Sequence, residues 1–274
     1  MVLRVDNETR RILSGAKLVG THVKFDPMPN RDYDRIKYLM EYIGGHWREK
    51  DKAFVFRIPH NEIKEQMEHL LKLKDVNIDA DTAFAIKAQY YPTPDWLAEY
   101  MVALADIKST DKVLEPSAGR GRLLNYISKY TQDIVCIEPN EVNALSLEEQ
   151  GYTPLRLKFE EYYKNVPKAS FDKIVMNPPF SKEMDLRHIA LAYNLLKPGG
   201  TLISLAAENS LYYDRSLTRQ FNEKISKLDH KIQNIPTGAF AESGTNVDVV
   251  MIIIHKHDNS RINFEAFSID YIRM

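Results

Sequence analysis

The chain has 274 residues, 44% hydrophobic and 27% charged, a balance that excludes collagen, coiled coil, disulfide scaffold and disordered chain. Its 37 Lys and Arg against 38 Asp and Glu leave a formal charge of -1, so any nucleic acid or anionic membrane must be held by a local patch. The single cysteine, Cys136, has no partner for an internal disulfide, which fits a reducing compartment and equally a cysteine-poor secreted protein.

The N-terminus, MVLRVDNETRR, lacks the apolar centre of a signal peptide. The longest apolar run, Val249 to Ile254, is strand-sized and far below the roughly 18 residues that span a bilayer. A cytoplasmic protein without membrane contact is expected. In chain order, LVGTHVKF reads as a strand, and RDYDRIKYLMEYI as an amphipathic helix with Ile36, Leu39, Met40 and Ile43 at helical spacing. Gly44 and Gly45 end that helix. HWREKDKAFVF reads as a hairpin turning at REKDK, and NEIKEQMEHLLKL as a second helix. These segments predict a small α+β module over residues 1–86.

From Lys112 onward the pattern changes. KVLEP, IVCIEPN, LRLKFEEY, KIVMNPPF and TLISLAAE read as strands, separated by helical stretches such as NALSLEEQ and LRHIALAYNLL. That alternation predicts a parallel sheet with helices on both faces. After a helix near RSLTRQFNEKISKL, KIQNIP and VDVVMIIIHK are joined only by a loop, so the sheet should close with an antiparallel pair. Residues 87–274 form this second, α/β domain.

Two motifs carry chemistry. Asn177-Pro178-Pro179-Phe180 follows the apolar run KIVM, at the carboxyl end of a strand, where open α/β sheets place their ligands. Two prolines fix φ and remove two donors, so the chain leaves the strand stiffly with its carbonyls able to accept. An exocyclic amine of a nucleobase is a poor nucleophile because its lone pair is delocalised. If the Asn177 side-chain oxygen and the Pro178 carbonyl accept its two hydrogens, the nitrogen becomes more tetrahedral as it is alkylated. Phe180 would then lie against the base. The second motif is Glu115-Pro116-Ser117-Ala118-Gly119-Arg120-Gly121, between a strand and a helix, with small residues that let a ligand approach the backbone. Glu138, at the end of the next strand, stands where an acidic side chain binds ribose hydroxyls. Leu124 takes the place of the third glycine of a dinucleotide signature, which favours S-adenosylmethionine over a nicotinamide cofactor.

With these motifs the chain resembles the amino-group DNA methyltransferases directed at adenine-N6 or cytosine-N4, in the motif order X, I, IV, VIII of the adenine-directed gamma group. YYPTPDWLAEYMV looks like motif X, LEPSAGRG like motif I, MNPPF like motif IV and IPTGAFAESGTNVDVVMIII like motif VIII. The flavour is that of phage and plasmid enzymes, some of them partners in restriction-modification. The resemblance implies a class I (Rossmann-like) methyltransferase sheet with an antiparallel last strand, S-adenosyl-L-methionine as cofactor and DNA as substrate. Tyr91, Pro92 and Thr93 would border the methionine part of the cofactor, Glu115, Gly119 and Gly121 would line it, Glu138 would hold its ribose, and Phe240 would help wall a flipped base.

Two departures matter. Where such proteins show Asp-Phe-Leu after the third strand, this chain has Lys158-Phe159-Glu160. Phe159 can still pack on the adenine, with Glu160 or Glu161 near its amino group, so weakened rather than abolished cofactor binding is expected. Only about 20 residues follow the last predicted strand, too few for the usual C-terminal recognition domain. GGHWREKDKAFVF resembles a module found ahead of such enzymes and, more loosely, the HARP domain of annealing helicases. Its Trp47, Phe54 and Phe56, interleaved with Arg48, Lys50, Lys52 and Arg57, are candidates for stacking and phosphate contacts, or else form an aromatic core with solvated charges. The alternative functions are methylation of an RNA base or a protein glutamine, and an inactive nucleic-acid-binding or anti-restriction protein. Motif X ahead of the cofactor loop favours DNA. His255-Lys256-His257 lacks further metal ligands, and no metal site is expected; Asp185 either caps a helix or acts in the site.

Overall fold

The computed structural model describes residues 2–77, 92–240 and 247–258, together with 260, 262–264 and 267. The first and last strands of the N-terminal module, β1 (Val2–Arg4) and β6 (Asp75–Asn77), pair antiparallel and close it. Helix α1 (Asn7–Ser14) is capped by the Asp6 carboxylate, which accepts the Thr9 N–H at 2.8 Å. Asp6 also takes Arg35 Nη1 at 2.8 Å, fastening α1 to α2 (Asn30–Tyr42). Neither β1 nor α1 is anticipated by the sequence patterns above. LVGTHVKF forms a hairpin rather than one strand: β2 (Lys17–Val19) and β3 (His22–Lys24) reverse through Gly20-Thr21, where Gly20 has φ +59°. Such a two-residue reversal needs a positive φ that glycine supplies. The expected hairpin at HWREKDKAFVF is present as β4 (His46–Arg48) and β5 (Ala53–Val55), followed by α3 (His60–Lys72).

The aromatic residues of this hairpin serve the module's core. Phe54 and Phe56 are buried, Phe54 standing edge-on to Trp47 at 5.2 Å and to Phe25 at 6.1 Å, and Trp47 edge-on to Tyr33 at 5.7 Å. Phe54 and Phe56 therefore present no face for stacking on a base. Their burial supports the aromatic-core alternative.

Residues 113–255 hold a six-stranded sheet in the order β11-β12-β10-β9-β7-β8. In it β7 (Val113–Glu115), β8 (Ile134–Cys136), β9 (Phe171–Met176) and β10 (Leu196–Ala207) run parallel. β12 (Val249–His255) lies antiparallel to both β10 and β11 (Asp229–Asn234), the predicted late reversal. Consecutive strand residues feed opposite layers, as the period of two requires. Leu114, Ile174, Leu202 and Ile252 pack with Leu186, Ile189 and Tyr193 of α8 (Met184–Leu195) and Phe221 of α9 (Ser216–Ile225). Val113, Val175, Ile203 and Ile253 pack with Leu97 and Met101 of α4 (Asp95–Ala105) and Leu124 of α5 (Leu124–Ile127).

LRLKFEEY departs from its predicted strand. Only Leu155 bridges to Ile137, and the carboxylate of Glu161, three residues along, accepts the Lys158 N–H at 3.0 Å, so helix α7 (Phe159–Asn165) begins at the next residue. The N-terminal segment meets the sheet-bearing part of the chain where α3 lies on α6 (Glu141–Glu149): Ser146 Oγ donates to Glu65 at 2.7 Å, while Glu149 takes His69 Nε2 at 2.9 Å and the Lys72 ammonium. Val142 of α6 is buried within the module's own apolar cluster.

The placement of Phe54 can be checked by urea unfolding: Phe54→Ala should lower stability by about 3–5 kcal/mol, the cost of truncating a buried phenylalanine. A loss below about 1 kcal/mol would contradict its place in the core.

Candidate active site

Parallel pairing of Leu114 with Ile174 puts the carboxyl ends of β7 and β9 side by side, so Glu115 and Asn177 emerge on the same edge of the sheet. Register Glu115↔Cys136 brings the end of β8, and Glu138 beyond it, to the same edge. The Glu115–Gly121 turn lies against that second strand: Ala118 N–H donates to the Ile137 carbonyl at 2.9 Å and Gly119 N–H to Glu138 Oε2 at 2.8 Å. Gly119 and Gly121 have φ +53° and +86°, and a Cβ on Gly121 would meet Leu147 Cδ2 at 3.0 Å and Gln150 Oε1 at 3.1 Å. Both conformation and space therefore call for glycine.

Two carboxylates sit within this turn region. Glu115 is 1% exposed; its Oε1 accepts the Ser117 N–H at 3.2 Å, and its Oε2 has no hydrogen-bond partner among the described residues. Burial raises its carboxyl well above the usual range, opposed by the Ser117 N–H, with Glu138 adding to the rise. Glu138 accepts the Asn140 N–H at 2.7 Å through Oε1, besides Gly119. Burial pushes it up to about 7 against the pull of those two backbone bonds.

At the corner after β9, Asn177 Nδ2 donates to Thr93 Oγ1 at 3.0 Å, which fixes the plane of the amide and points its oxygen away from Thr93. Thr93 is buried and Pro92 half-buried, directly ahead of α4. Phe180, 8% exposed, and Phe240, 2% exposed, belong with Ala118 to the same apolar layer of the sheet. Tyr91 and residues 241–246 of the motif VIII segment lie outside the described residues. The Thr93–Asn177 bond could not be read from spacing, since it joins residues 84 apart.

Immediately past the corner, Lys182 and Glu183 both adopt positive φ, +52° and +58°. Glu183 is buried, accepting from Thr218 Oγ1 and from Arg215 Nη1 at 3.1 Å. Asp185, fully buried, accepts the Leu186 and Ala207 N–H groups, each at 3.0 Å, and so ties the start of α8 to the end of β10. Burial pushes its carboxyl up to about 6.

Phe159 lies in the opposite apolar layer, edge-on to His188 at 5.2 Å. Glu160 is engaged by His188 Nε2 at 3.1 Å; burial opposes its ionisation, and the imidazole outweighs burial to hold the carboxyl below its usual value. With Glu161 serving the cap of α7, both acids next to Phe159 already have partners. Cys136 is buried, as expected of a small core residue. His255 and His257 approach Thr201 and Asp229, and no group of three metal-ligating side chains occurs among the described residues.

A parallel sheet with β12 reversed, and a glycine turn facing an acid one strand over, define a class I methyltransferase that uses S-adenosylmethionine. A family model described as "Methyltransferase small domain" matches residues 95–231, half of the chain, and the protein belongs to that family. No curated protein matches it. Among solved structures it is similar to a modification subunit of a putative type I restriction enzyme from Vibrio vulnificus, with 13% identity over 73% of this chain and a TM-score of 0.52. The chain spans about half of that subunit, 54% of its length. A dimethyladenosine transferase from Plasmodium falciparum is 17% identical over 60% of this chain and 62% of its own, with a TM-score of 0.46. The 16S rRNA N2 G1207 methyltransferase of Thermus thermophilus is 11% identical over 60% of this chain and 40% of its own, with a TM-score of 0.43. No helix among the described residues is long and apolar enough to cross a membrane.

The residues present fit the cofactor. A buried carboxylate oxygen without a donor costs free energy until a cation or donor meets it, and the ammonium group of S-adenosylmethionine is such a partner.

Glu138 also gives a pH signature in the cofactor-free protein. Its folded value of about 7 exceeds the unfolded 4.5, so its contribution to stability is complete below pH 4.5 and is lost as pH rises through 7. Glu138→Gln should remove that loss, at most on the order of 3 kcal/mol. Chemical denaturation from pH 4.5 to 8 should show the variant gaining on wild type as pH rises, and parallel curves would refute the assignment.

Proposed function

We propose that the enzyme methylates the exocyclic amino group of a DNA base, adenine-N6 above all, in a flipped-out or single-stranded target. The observation that carries this is the Asn177-Pro178 corner, its amide oriented by Thr93 at 3.0 Å, on the sheet edge it shares with Glu115 and Glu138. A base stacked inside a duplex cannot reach such a corner, so it must leave the stack first. Likeness to the restriction-enzyme subunit is one of fold and does not choose the acceptor.

When bound, S-adenosylmethionine supplies an electrophilic methyl group on a sulfonium sulfur. In this reading Glu115 would meet the cofactor's ammonium, Glu138 would accept from its ribose hydroxyls, Pro116, Ser117, Gly119 and Gly121 would admit it closely to the backbone, and Pro92 and Thr93 would border its methionine end, a role that the family resemblance alone extends to Tyr91. Phe159, assigned to the adenine by the family resemblance, is 2% exposed and edge-on to His188, so it would reach the adenine only by its edge. Asn177 Oδ1 and the Pro178 carbonyl accept the two amino hydrogens, while Pro179 keeps the corner stiff. Accepting both hydrogens matters most as the nitrogen pyramidalises, which is transition-state stabilisation rather than tighter ground-state binding. No strong base is required, because alkylation itself makes the departing proton acidic. Phe180, 8% exposed, would border the base, while Phe240, 2% exposed, packs in the same apolar cluster and offers no open face for stacking. The division into residues 1–86 and 87–274 belongs to the same proposal.

Transfer of tritiated methyl groups to DNA from a methylation-free host should be readily measured for the wild type. Asn177→Ala should cut the rate about 100- to 1,000-fold, the usual loss on removing one such polar group, with folding intact by circular dichroism. Methylation of RNA but not of DNA would reject the substrate. Lys158→Asp should tighten S-adenosylmethionine binding several-fold by calorimetry, since it restores the acid of the family pattern; unchanged affinity would show that position to be irrelevant to the cofactor.

A further inference from the structure

We propose that the N-terminal module is part of the cofactor machinery, with Glu62 and Tyr42 as positioning residues that fix the two loops gripping S-adenosylmethionine. The inference rests on the assignment of the cofactor to the 115–121 turn and Glu138 made above.

Glu62, on α3, binds both arginines of the glycine turn. Its Oε2 accepts Arg120 Nη1 at 2.8 Å and its Oε1 accepts Arg122 Nη2 at 2.8 Å, so a single carboxylate spans Gly121 on either side. The Arg120 side chain is 7% exposed, a charge that burial makes costly without its counter-ion. Arg122 Nη1 continues to Asp95 Oδ1 at 3.0 Å, in the first turn of the helix that follows Thr93. The module thus reaches the glycine turn and, through Arg122, the wall that orients Asn177.

Tyr42, at the end of α2, holds the second loop at two points. Its carbonyl accepts Asn140 Nδ2 at 3.1 Å and its hydroxyl oxygen accepts the Glu141 N–H at 2.8 Å. Asn140 in turn donates its own N–H to Glu138 and caps α6, accepting the Val142 and Asn143 N–H groups at 2.9 and 3.1 Å. Tyr42, Asn140 and Glu138 form one chain of contacts from the module into the site.

A turn with two glycines in positive φ is soft by itself, and ordering it on binding would cost affinity. Fixing it beforehand from a separate domain removes that cost. A purely architectural interface needs only the α3–α6 contacts of Glu65, His69 and Lys72; Glu62 and Tyr42 reach past them to the loops.

The full-length protein is titrated with S-adenosylmethionine by isothermal calorimetry from pH 5.5 to 8.5, as wild type, Tyr42→Phe, Glu62→Gln and Glu138→Gln. Ribose hydroxyls favour the ionised carboxylate, so wild-type affinity should fall as pH drops through the Glu138 transition. The charged and titratable groups facing Glu138 are Arg120, Glu115, Cys136 and Tyr42. Tyr42→Phe and Glu62→Gln should each weaken binding about tenfold. Tyr42→Phe should also move the midpoint of the pH profile upward, because the Glu141 N–H loses its acceptor and the loop that carries the Asn140 donor to Glu138 is held less firmly. A merely structural role would leave that midpoint in place. If Glu138→Gln weakens binding while both module variants bind with wild-type affinity and midpoint, the inference is overturned and the cofactor site stands. If Glu138→Gln binds as wild type does, the site assignment itself fails and takes the inference with it. Should Glu62→Gln not fold, Tyr42→Phe, which deletes one oxygen, decides the matter alone.

Discussion

Two buried acids on neighbouring strand ends, with too little positive charge between them, constrain the rest of the molecule. Burial pushes both Glu115 and Glu138 toward neutrality, Glu138 adds to the rise at Glu115, and backbone N–H groups, the Asn143 side chain and Arg120 oppose it. A fold that needed only stability would place amides or apolar groups there, since a half-satisfied buried carboxylate is worse than none. Their presence makes sense if a cationic, hydroxyl-bearing ligand completes the site. The sheet order follows from the same demand, because only adjacent parallel strands deliver Glu115, Glu138 and Asn177 to one edge.

Much of this edge was legible in the sequence because it is built from local patterns. A diproline after an apolar run and a glycine turn between a strand and a helix are both short-range signals with a mechanical cause. The spacing from Gly119 to Glu138 reports one helix and one strand, and the hydrogen bond between them matches it. Legibility failed where the outcome depended on neighbours. LRLKFEEY has strand-like residues, yet a carboxylate three positions along captures the Lys158 N–H and starts a helix first. LVGTHVKF reads as one strand until Gly20 is credited with a tight reversal. The aromatic and basic interleaving of HWREKDKAFVF matched a stacking surface and an ordinary core equally well; only burial separates them.

Contacts between distant segments left no trace in any window. Glu62 looks like one of several solvated acids on an amphipathic helix, and its pairing with Arg120, 58 positions later, exists only in three dimensions. The same holds for Tyr42 with Asn140 and for Thr93 with Asn177. Each sits close to a motif that could be read, which suggests where to look when a site is known only from its sequence: at the layer that steadies it.

The backbone at Lys182 and Glu183 bears on how the corner behaves over time. Two successive side-chain-bearing residues in left-handed conformation cost roughly 1–2 kcal/mol apiece, and glycine would relieve most of it. The Thr218 and Arg215 ties to Glu183 keep the chain there regardless. The loop behaves like a spring compressed behind a catch, and its fidelity of shape is borrowed from α9 on the far layer of the sheet.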